Sequence, residues 1–586
     1  MLRRNWLKIS ALTSLAATMP AKARDALRKP EEGVSSGSAA YQRVVRTIRD
    51  TFPSPTRSQS ADSRLSRLMA YAMGEYEKRK THRTFLGKRA ALDYAGARRE
   101  RMGEKLGDAR GTIRETARYL EGQYTWSHPN VHRLHGSATS VSIIGQLYGS
   151  ITDPNTVWDD LSHKAAEAEV RVSAMCAALV GYDPEKALGL FTFGGTGTTL
   201  YGIKVGAEIA QPGLFNDGIR QPMRVFGSDL AHYAKLSASA WLGLGSQAAV
   251  SVPTGDDNAM DIAALEKALR ASIVKGERIA AIVVTMGTTD AFGIDDILAV
   301  HALRKRLVDE YRLDYTPHLH ADAVIGWAYA VFNDYDFAAN ALDIPPEAAA
   351  SLQAVRERMR HLHLADSLGI DFHKSGYTPY ASSLFIARDA QLLNTIRRDK
   401  VAMPYLFQFG EYDPGIYTLE CSRSGGPVLA ALANLLMLGK DGYRGLLSHC
   451  VEMSQLLRRR ARDLPWLTVL NQDNHGAVVV IRVYPDGVNG DQAYLAEKDD
   501  IAQRDALIRH NDFNKAVYTA TREAAEGGES PVFVQTSRYR ATGYGEPVVG
   551  IKFFTLSAFT DPACVEAAID ALQAARRKVA APQKKT

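Results

Sequence analysis

The chain has 586 residues, of which 46% are hydrophobic and 23% charged, and 71 Lys and Arg against 65 Asp and Glu leave a net charge of +6. These are the proportions of a globular protein, and they exclude a disordered chain, which would be poorer in apolar residues. Four cysteines exclude a disulfide scaffold. No uncharged apolar run reaches about 18 residues, which excludes a polytopic membrane protein. The small, dispersed charge excess argues against nucleic-acid binding.

The start of the chain resembles a twin-arginine export signal. Two arginines, Arg3 and Arg4, precede an apolar run from Ile9 to Met19, and an A-x-A triplet follows at Ala21–Ala23. These three features come in the same order in such signals. We therefore expect residues 1–23 to be a signal peptide and the protein to be periplasmic. The alternative is a cytoplasmic protein that begins with an amphipathic helix.

The remaining length predicts three further parts. Residues 24–150 begin with a polar stretch and continue from about Ala61 with charged helical sequence, which is typical of solvated helix faces. Residues 151–400 alternate short apolar runs with helical stretches and are predicted to form a large domain. Residues 401–586 include a strand-like run at Val548–Phe554 and an Ala-rich helix, which predict a smaller α/β domain.

The alternation in the large domain predicts a largely parallel sheet. Ala281–Thr285 is a β-branched run, the run His318–Ala323 ends a second strand, and a third covers Ser383–Ala387. Helical sequence lies between them at Met260–Lys275 and Ile297–Arg312. Strands and helices at this spacing are typical of an α/β domain. Ligands of such domains bind at the carboxyl ends of the strands, so reactive residues are expected there.

A run of small residues, Phe193–Leu200, reads F-G-G-T-G-T-T-L and precedes a helical stretch from Tyr201 to Ile209. Backbone N–H groups at a helix N-terminus attract an anion, and the helix dipole adds to that attraction. No Gly-Lys-Ser/Thr follows, so the run is not a nucleotide-binding Walker A loop. It indicates a phosphate site, and the alternative is a tight turn before a capped helix.

Five further residues carry reactive side chains. Asp322 ends a mostly apolar strand and needs a partner such as a protonated ring nitrogen to stay ionised. Lys374 follows a partly apolar stretch and is a candidate for Schiff-base chemistry. His232 follows a strand and can stack on a flat ring or act as an acid, and Tyr377 and Tyr380 can donate protons. Taken singly, each has an ordinary structural role as its alternative.

Together these features resemble the group II amino-acid decarboxylases, which depend on pyridoxal phosphate. The order of glycine loop, histidine, aspartate and lysine is that of the family, and the separation 374 − 322 = 52 residues is compatible with it. The resemblance runs from about Tyr124 to the region of Phe559 and is closest to the large bacterial tyrosine decarboxylases. The segments that carry it are F-G-G-T-G-T-T-L, S-D-x-A-H, G-T-T-D-x-F-G, H-A-D-A, A-D-S-x-x-x-D-x-H-K and H-K-x-G-Y-x-P-Y.

The resemblance implies a fold-type I transferase fold, like that of aspartate aminotransferase. Its features are a mostly parallel seven-stranded sheet in the cofactor-binding domain and a smaller α/β C-terminal domain. It also implies a homodimer with the active site at the subunit interface. The implied partners are a small amino-acid substrate and a second copy of the chain, with no nucleic acid and no membrane beyond export.

The family's residue roles can be carried over to this sequence. Lys374 would hold the cofactor as an internal aldimine, Asp322 would pair with the pyridinium nitrogen, and His232 would stack on the ring. Tyr380 would lie near the reacting carbon. The remaining implied contacts are to the phosphate, by Gly195, Thr196, Thr198 and His373, and to the substrate, by His128 and Asn130.

The implied reaction removes the α-carboxylate of an L-amino acid, with an aromatic, tyrosine-like substrate favoured, and yields an amine and CO₂ through a quinonoid. Tyr380 or His232 would return the proton. Two departures bear on the substrate: Ser375 stands where Trp, Met or Leu is common, and Val324 replaces a smaller residue beneath the ring.

Other functions stay open at this point. The same cofactor and fold also support oxidative deamination, aldehyde formation or carbon–carbon lysis. A cofactor-binding protein without turnover is a further alternative, although intact Lys374, Asp322 and His232 argue against it. Metal catalysis is the least favoured interpretation, because the histidine pair His318 and His320 lacks the carboxylate context of a zinc motif.

Overall fold

The computed structural model of the chain describes residues 38–49, 51–54 and 63–581. The predicted export signal, residues 1–23, lies outside these ranges. By its contacts the chain forms two units, one of Met1–Lys80 with Ala90–Glu121 and one of Thr81–Arg89 with Gly122–Thr586. The predicted boundaries after residues 150 and 400 stay predictions.

The smaller unit is helical, as the charged sequence after Ala61 predicts. Side-chain caps begin three of its helices. Ser63 Oγ accepts from the Ser66 amide at 3.1 Å, and Asp93 Oδ1 and Asp108 Oδ1 accept from the Gly96 and Gly111 amides, each at 2.7 Å. Such caps satisfy amides that the first helical turn leaves free. In chain order the helices are α1 (Ala39–Arg49), α2 (Arg64–Glu77), α3 (Tyr94–Ala97) and α4 (Ala109–Arg118).

The larger unit alternates strands and helices before the C-terminal region. Its elements are α5 (Ser140–Thr152), α6 (Asp159–Ser162), α7 (Lys164–Val180), β1 (Leu188–Thr192), α8 (Gly195–Ala210), α9 (Leu214–Asp217), β2 (Met223–Ser228), α10 (Ala234–Trp241), β3 (Ala249–Val252), α11 (Ile262–Val274), β4 (Arg278–Thr285), α12 (Ile297–Tyr311), β5 (His318–Asp322), α13 (Pro346–Met359), β6 (Ser367–Asp371) and β7 (Ser383–Ala387). They continue as α14 (Gly426–Arg462), β8 (Leu467–Val469), β9 (Val478–Val483), α15 (Gly490–Asp499), α16 (Arg504–Gly527), β10 (Val534–Thr536), β11 (Gly550–Phe554) and α17 (Pro562–Ala580).

Strands β1 to β7 form the predicted seven-stranded sheet, in the order β1-β7-β6-β5-β4-β2-β3. All neighbours are parallel except β7, which runs antiparallel to both β1 and β6. Strand β4 is buried almost throughout, as a strand covered by helices on both faces must be. In register, Thr285 pairs with Asp322 and Asp322 with Gly369, so β4 and β5 end together and β6 ends two residues later at the same edge. The predicted fold class is confirmed.

The C-terminal region forms a second sheet of four antiparallel strands, in the order β10-β11-β9-β8. Its apolar side chains share a buried cluster with those of α16 and α17. Helix α17 begins at Pro562 after Asp561, whose carboxylate accepts from the Cys564 amide at 2.9 Å. This is the smaller α/β part that the sequence predicts. Over the residues described, no helix is both long and apolar enough to cross a membrane.

Candidate functional site

The carboxyl ends of β2, β4, β5 and β6 open into one cavity of about 240 Å³. Parallel strands end at the same edge, which explains why residues far apart in sequence meet there. Most of the predicted site residues line this cavity. They are Gly195, Thr196, His232, Asp322, His373, Lys374 and Tyr380.

Lys374 lies just after β6 and pairs with the last residue of that strand. Its Nζ is 2.9 Å from Asp371 Oδ2, and the Asp371 side chain is only 1% exposed. The Asp371 carboxylate also accepts from Ser383 Oγ at 2.5 Å and lies 3.5 Å from His373 Nε2. Asp371 therefore holds the lysine inside the cavity. Asp371 is not among the site residues predicted from the sequence, although it lies three residues before the lysine.

Asp322 ends β5 and is buried beneath the same cavity. Burial raises the pKa of its carboxyl to about 6, and the charge of Lys374 opposes that rise. One carboxylate oxygen, Oδ1, is buried without a hydrogen-bond partner. A buried acceptor without a donor is unfavourable, so this oxygen is placed to accept a hydrogen bond from a ligand.

The glycine loop approaches the cavity at the start of α8. Gly194 has a φ of 141° and provides no side-chain cap, so the first amides of the helix are left for an anion. A Cβ on Gly195 would lie 2.8 Å from Asp371 Oδ2, which leaves room only for glycine. Thr198 differs from the prediction, because it does not line the cavity and its buried hydroxyl donates to the Gly195 carbonyl at 2.8 Å.

His232 lies on one wall of the cavity as a neutral imidazole. Its Nδ1 accepts from the Ala234 amide at 3.2 Å, which places the proton of the neutral ring on Nε2. Burial, with a smaller effect of the Lys374 charge, lowers the pKa of His232 to about 4. Opposite, the rings of Tyr380 and His373 are 4.0 Å apart, and Tyr380 is 73% exposed.

The predicted substrate residues His128 and Asn130 do not line this cavity. They border a separate cavity of about 420 Å³ with Thr84 and Glu529. Backbone pairing fixes them there, since the Val532 amide donates to the Asn130 carbonyl at 2.9 Å. Their contact with substrate stays a prediction.

The same segment reaches the cavity a few residues later. Leu134 lines it, and the His135 ring lies 5.7 Å from that of Tyr380. The pKa of His135 is lowered to about 4 by burial first, and then by the nearby charges of His373, Arg133 and Lys374. Leu134 and His135 thus lie at the cavity four to seven residues after His128 and Asn130.

The two departures from the family pattern have structural settings. Ser375 is buried and donates from Oγ to the Ile325 carbonyl at 2.7 Å, so its hydroxyl satisfies a backbone acceptor that an apolar side chain would leave free. Val324 lines the cavity, and its Cγ1 lies 3.1 Å from where a Cβ on Gly195 would be. Val324 therefore narrows the cavity next to Asp322, whereas Ser375 does not line it.

The histidine pair of β5 has a structural role. His318 Nε2 and His320 Nδ1 both contact Ser367 Oγ, at 2.7 and 2.9 Å. Within the described ranges, no group of three or more His, Cys, Asp or Glu side chains is arranged to hold a metal ion.

Residues 106–483 match the family described as the pyridoxal-dependent decarboxylase conserved domain. An L-2,4-diaminobutyrate decarboxylase of Acinetobacter baumannii is 25% identical over 410 residues, which are 66% of this chain and 73% of that protein. An L-tyrosine decarboxylase of Enterococcus faecium is 30% identical over 254 residues, and the alignment covers 40% of each chain. The chain thus spans less than half of the second relative.

Solved structures share the fold. The crystal structure of Oryza sativa TDC with PLP and tryptamine superposes with a TM-score of 0.71 at 16% identity, over 90% of this chain and 100% of that one. At this identity the likeness concerns the fold alone. The family match covers well over half of the 586 residues and includes every residue described above as lining the cavity.

Proposed function

Because the chain belongs to the pyridoxal-dependent decarboxylase family, we propose that it removes the α-carboxylate of an aromatic L-amino acid and releases the amine and CO₂. The family match confirms the predicted enzyme class, a carboxy-lyase, and its cofactor, pyridoxal phosphate. The observation that carries the proposal is the meeting of Lys374, Asp322 and His232 around one cavity. The aromatic substrate is the new part of the proposal.

The residues present fit the cofactor. Asp322 Oδ1 lacks a partner and suits a protonated pyridine nitrogen. The close approach at Gly195 and the free first amides of α8 suit a phosphate group. Lys374 Nζ is the amine that would hold the aldehyde carbon. When bound, pyridoxal phosphate supplies an electron sink for the electrons of the breaking carbon–carboxylate bond.

The chain's own residues set the conditions for that chemistry. Asp322, fixed at the end of β5, would keep a proton on the ring nitrogen and so keep the sink electron-poor. His232 is neutral, so it can lie against a flat ring without adding charge. Two groups at the cavity can return a proton to the substrate carbon, the Tyr380 phenol and His232 Nε2. Lys374 can take up and release a proton once it is free of Asp371.

The walls of the cavity support an aromatic substrate over an acidic one. Leu134, Tyr233, Val324 and Ile325 provide apolar surface, and among the residues that line the cavity Lys374 is the sole lysine and no arginine occurs. A substrate with a second carboxylate would need a cation to compensate its burial. The relatives are named for different substrates, so the substrate class is inferred from the residues that line the cavity.

A screen of amino acids with the purified protein tests the proposal. We expect an aromatic L-amino acid to yield amine and CO₂ in equal amounts, measured together in one reaction. Aspartate and 2,4-diaminobutyrate serve as comparison substrates of other chemistry. Aldehyde or peroxide as the main product would contradict decarboxylation, and turnover of aspartate alone would contradict the aromatic assignment.

We further propose a homodimer, supported by an apolar stripe on α5. Val141, Ile144, Tyr148 and Ile151 recur every three or four residues and are 39–60% exposed. The other face of α5 is committed to packing, since a Cβ on Gly145 would meet the Leu429 carbonyl at 2.6 Å. Exposed stripes of this kind mark protein interfaces. Sedimentation as a monomer at micromolar concentration would contradict the dimer.

Export through residues 1–23 is proposed from the sequence alone. Because the paired arginines are the feature that such a route reads, the double change Arg3→Lys and Arg4→Lys should leave the protein in the cytoplasm. Cell fractionation with an activity or antibody readout measures this. A wild-type protein found only in the cytoplasm would contradict the proposal.

A further inference from the structure

The glycine loop is held at both ends by one segment, Leu419–Arg423, that lies more than 200 residues later in the chain. This segment does not line the cavity, and the family resemblance assigns it no role. The contacts on each side of the loop show what it does.

The strand before the loop is fixed by a buried ion pair. The Phe191 amide donates to Glu169 Oε1 at 3.0 Å, and the Phe191 carbonyl accepts from Arg423 Nη1 at 3.0 Å. Glu169 and Arg423 form a bidentate ion pair, Nη1 with Oε1 and Nη2 with Oε2, and the two residues are 0% and 7% exposed. Both backbone groups of Phe191 are therefore held in place two residues before the loop.

Glu420 joins the two ends of the loop itself. Its Oε1 accepts from Thr192 Oγ1 at 2.5 Å, and its Oε2 accepts from the Tyr201 hydroxyl. Thr192 is the last residue of β1, and Tyr201 lies in the second turn of α8. The Tyr201 oxygen in turn accepts from the Leu419 amide at 2.6 Å. One carboxylate thus fixes the distance between the strand end and the helix start.

That distance decides where the first amides of α8 point. Gly194 has no side chain to hold the turn, and its φ of 141° is one that glycine adopts without strain. Nothing in the loop caps the helix, so its geometry depends on groups outside it. A phosphate bound by backbone amides is sensitive to small displacements of those amides, because each hydrogen bond weakens steeply when misaligned.

We propose that Glu420 is a positioning residue that sets the affinity of the glycine loop for the phosphate group, acting through Thr192 and Tyr201 without touching the ligand. The inference rests on the proposed function, since it takes pyridoxal phosphate as the ligand.

The test compares two ligands that differ only in the phosphate. Cofactor-free full-length protein is titrated with pyridoxal phosphate and with pyridoxal, and each dissociation constant is measured by fluorescence. In Glu420→Ala we expect the affinity for pyridoxal phosphate to fall about tenfold, the value of one to two lost hydrogen bonds, while that for pyridoxal stays within about twofold. A general loss of structure would weaken both ligands alike.

Two milder variants and one control accompany it. Thr192→Val is nearly isosteric and removes one of the two contacts, and Glu420→Gln keeps an acceptor oxygen, so both should show a smaller selective loss. Glu411→Ala changes an exposed glutamate of the neighbouring sequence whose side chain makes no ion pair in the described part of the chain, and should match wild type.

The outcomes separate the two proposals. An unchanged ratio of the two affinities in Glu420→Ala and Thr192→Val would overturn the role of Glu420 alone. A wild-type protein that binds pyridoxal phosphate no better than pyridoxal would contradict the proposed cofactor site instead.

Discussion

Replacing Lys374 with alanine is expected to remove the visible absorbance band of the lysine-bound cofactor and to reduce turnover severely. The Nζ atom is the only lysine amine that lines the cavity, so no other side chain there can form the same bond. Lys374 is proposed both to bind the cofactor and to transfer protons, so its loss should lower kcat about 10⁴-fold. Absorbance spectra of the purified variant, recorded with added pyridoxal phosphate, measure the first effect, and amine release measures the second.

Lys374→Ala also removes the positive charge that faces Asp371, which can destabilise the fold. A second variant therefore separates the loss of catalysis from a loss of stability. In the wild type, Lys374 Nζ lies 2.9 Å from Asp371 Oδ2. Lys374→Arg keeps a cation as the partner of Asp371, but a guanidinium cannot form the bond to an aldehyde. It should lose the band and the activity while unfolding close to the wild-type temperature. Lys186→Ala, which changes a surface lysine 3.4 Å from Asp183, should behave as wild type. A band retained in either Lys374 variant would defeat the assignment.

Replacing Asp322 with asparagine is expected to lower kcat about 10³-fold while part of the cofactor stays bound. The amide has the shape of the carboxylate but no charge with which to keep a ring nitrogen protonated. Lys374 and the glycine loop remain, so the variant would keep the covalent and phosphate contacts proposed for the cofactor. Cofactor content by absorbance and kcat by amine release measure the two effects on the same sample.

The cofactor-free protein gives a second readout for Asp322. Its carboxyl has a pKa raised to about 6 from an ordinary 3.8, so the folded state disfavours its ionisation, and the contribution of Asp322 to stability falls as pH rises from about 4 to 6. Asp322→Asn removes that dependence, and the cofactor-free variant should unfold at a higher temperature than cofactor-free wild type at pH 7. Unchanged kcat in this variant would contradict the role of Asp322 in the reaction.

The sequence predicts much of the site because a parallel sheet brings its strand ends together. Asp322 ends a buried strand, and Lys374 and His232 each follow one, so their meeting at one edge follows from the fold class. The glycine loop is predictable for the same reason, since it joins β1 to α8. For these residues, the order of strands and helices along the chain is enough to predict that they lie at the same edge of the sheet.

Other parts depend on contacts that spacing does not encode. Asp371 becomes the partner of Lys374 through side-chain direction at the end of β6, and Thr198 turns inward to its own helix. The path that brings His135 to the cavity is set by pairing with distant segments, such as the bond from Thr560 Oγ1 to the Pro129 carbonyl at 3.0 Å. A single sequence carries no local signal for such bonds.

The pairing of Lys374 with Asp371 means that the protein carries its own counter-ion for the lysine. The two opposite charges cancel within the protein, so the chain can fold and keep the amine inside before any ligand arrives. If Lys374 were joined to the cofactor, Asp371 would keep Ser383 Oγ and, at 3.5 Å, His373 Nε2 as its partners. The same carboxylate would therefore have partners in both the empty and the loaded protein.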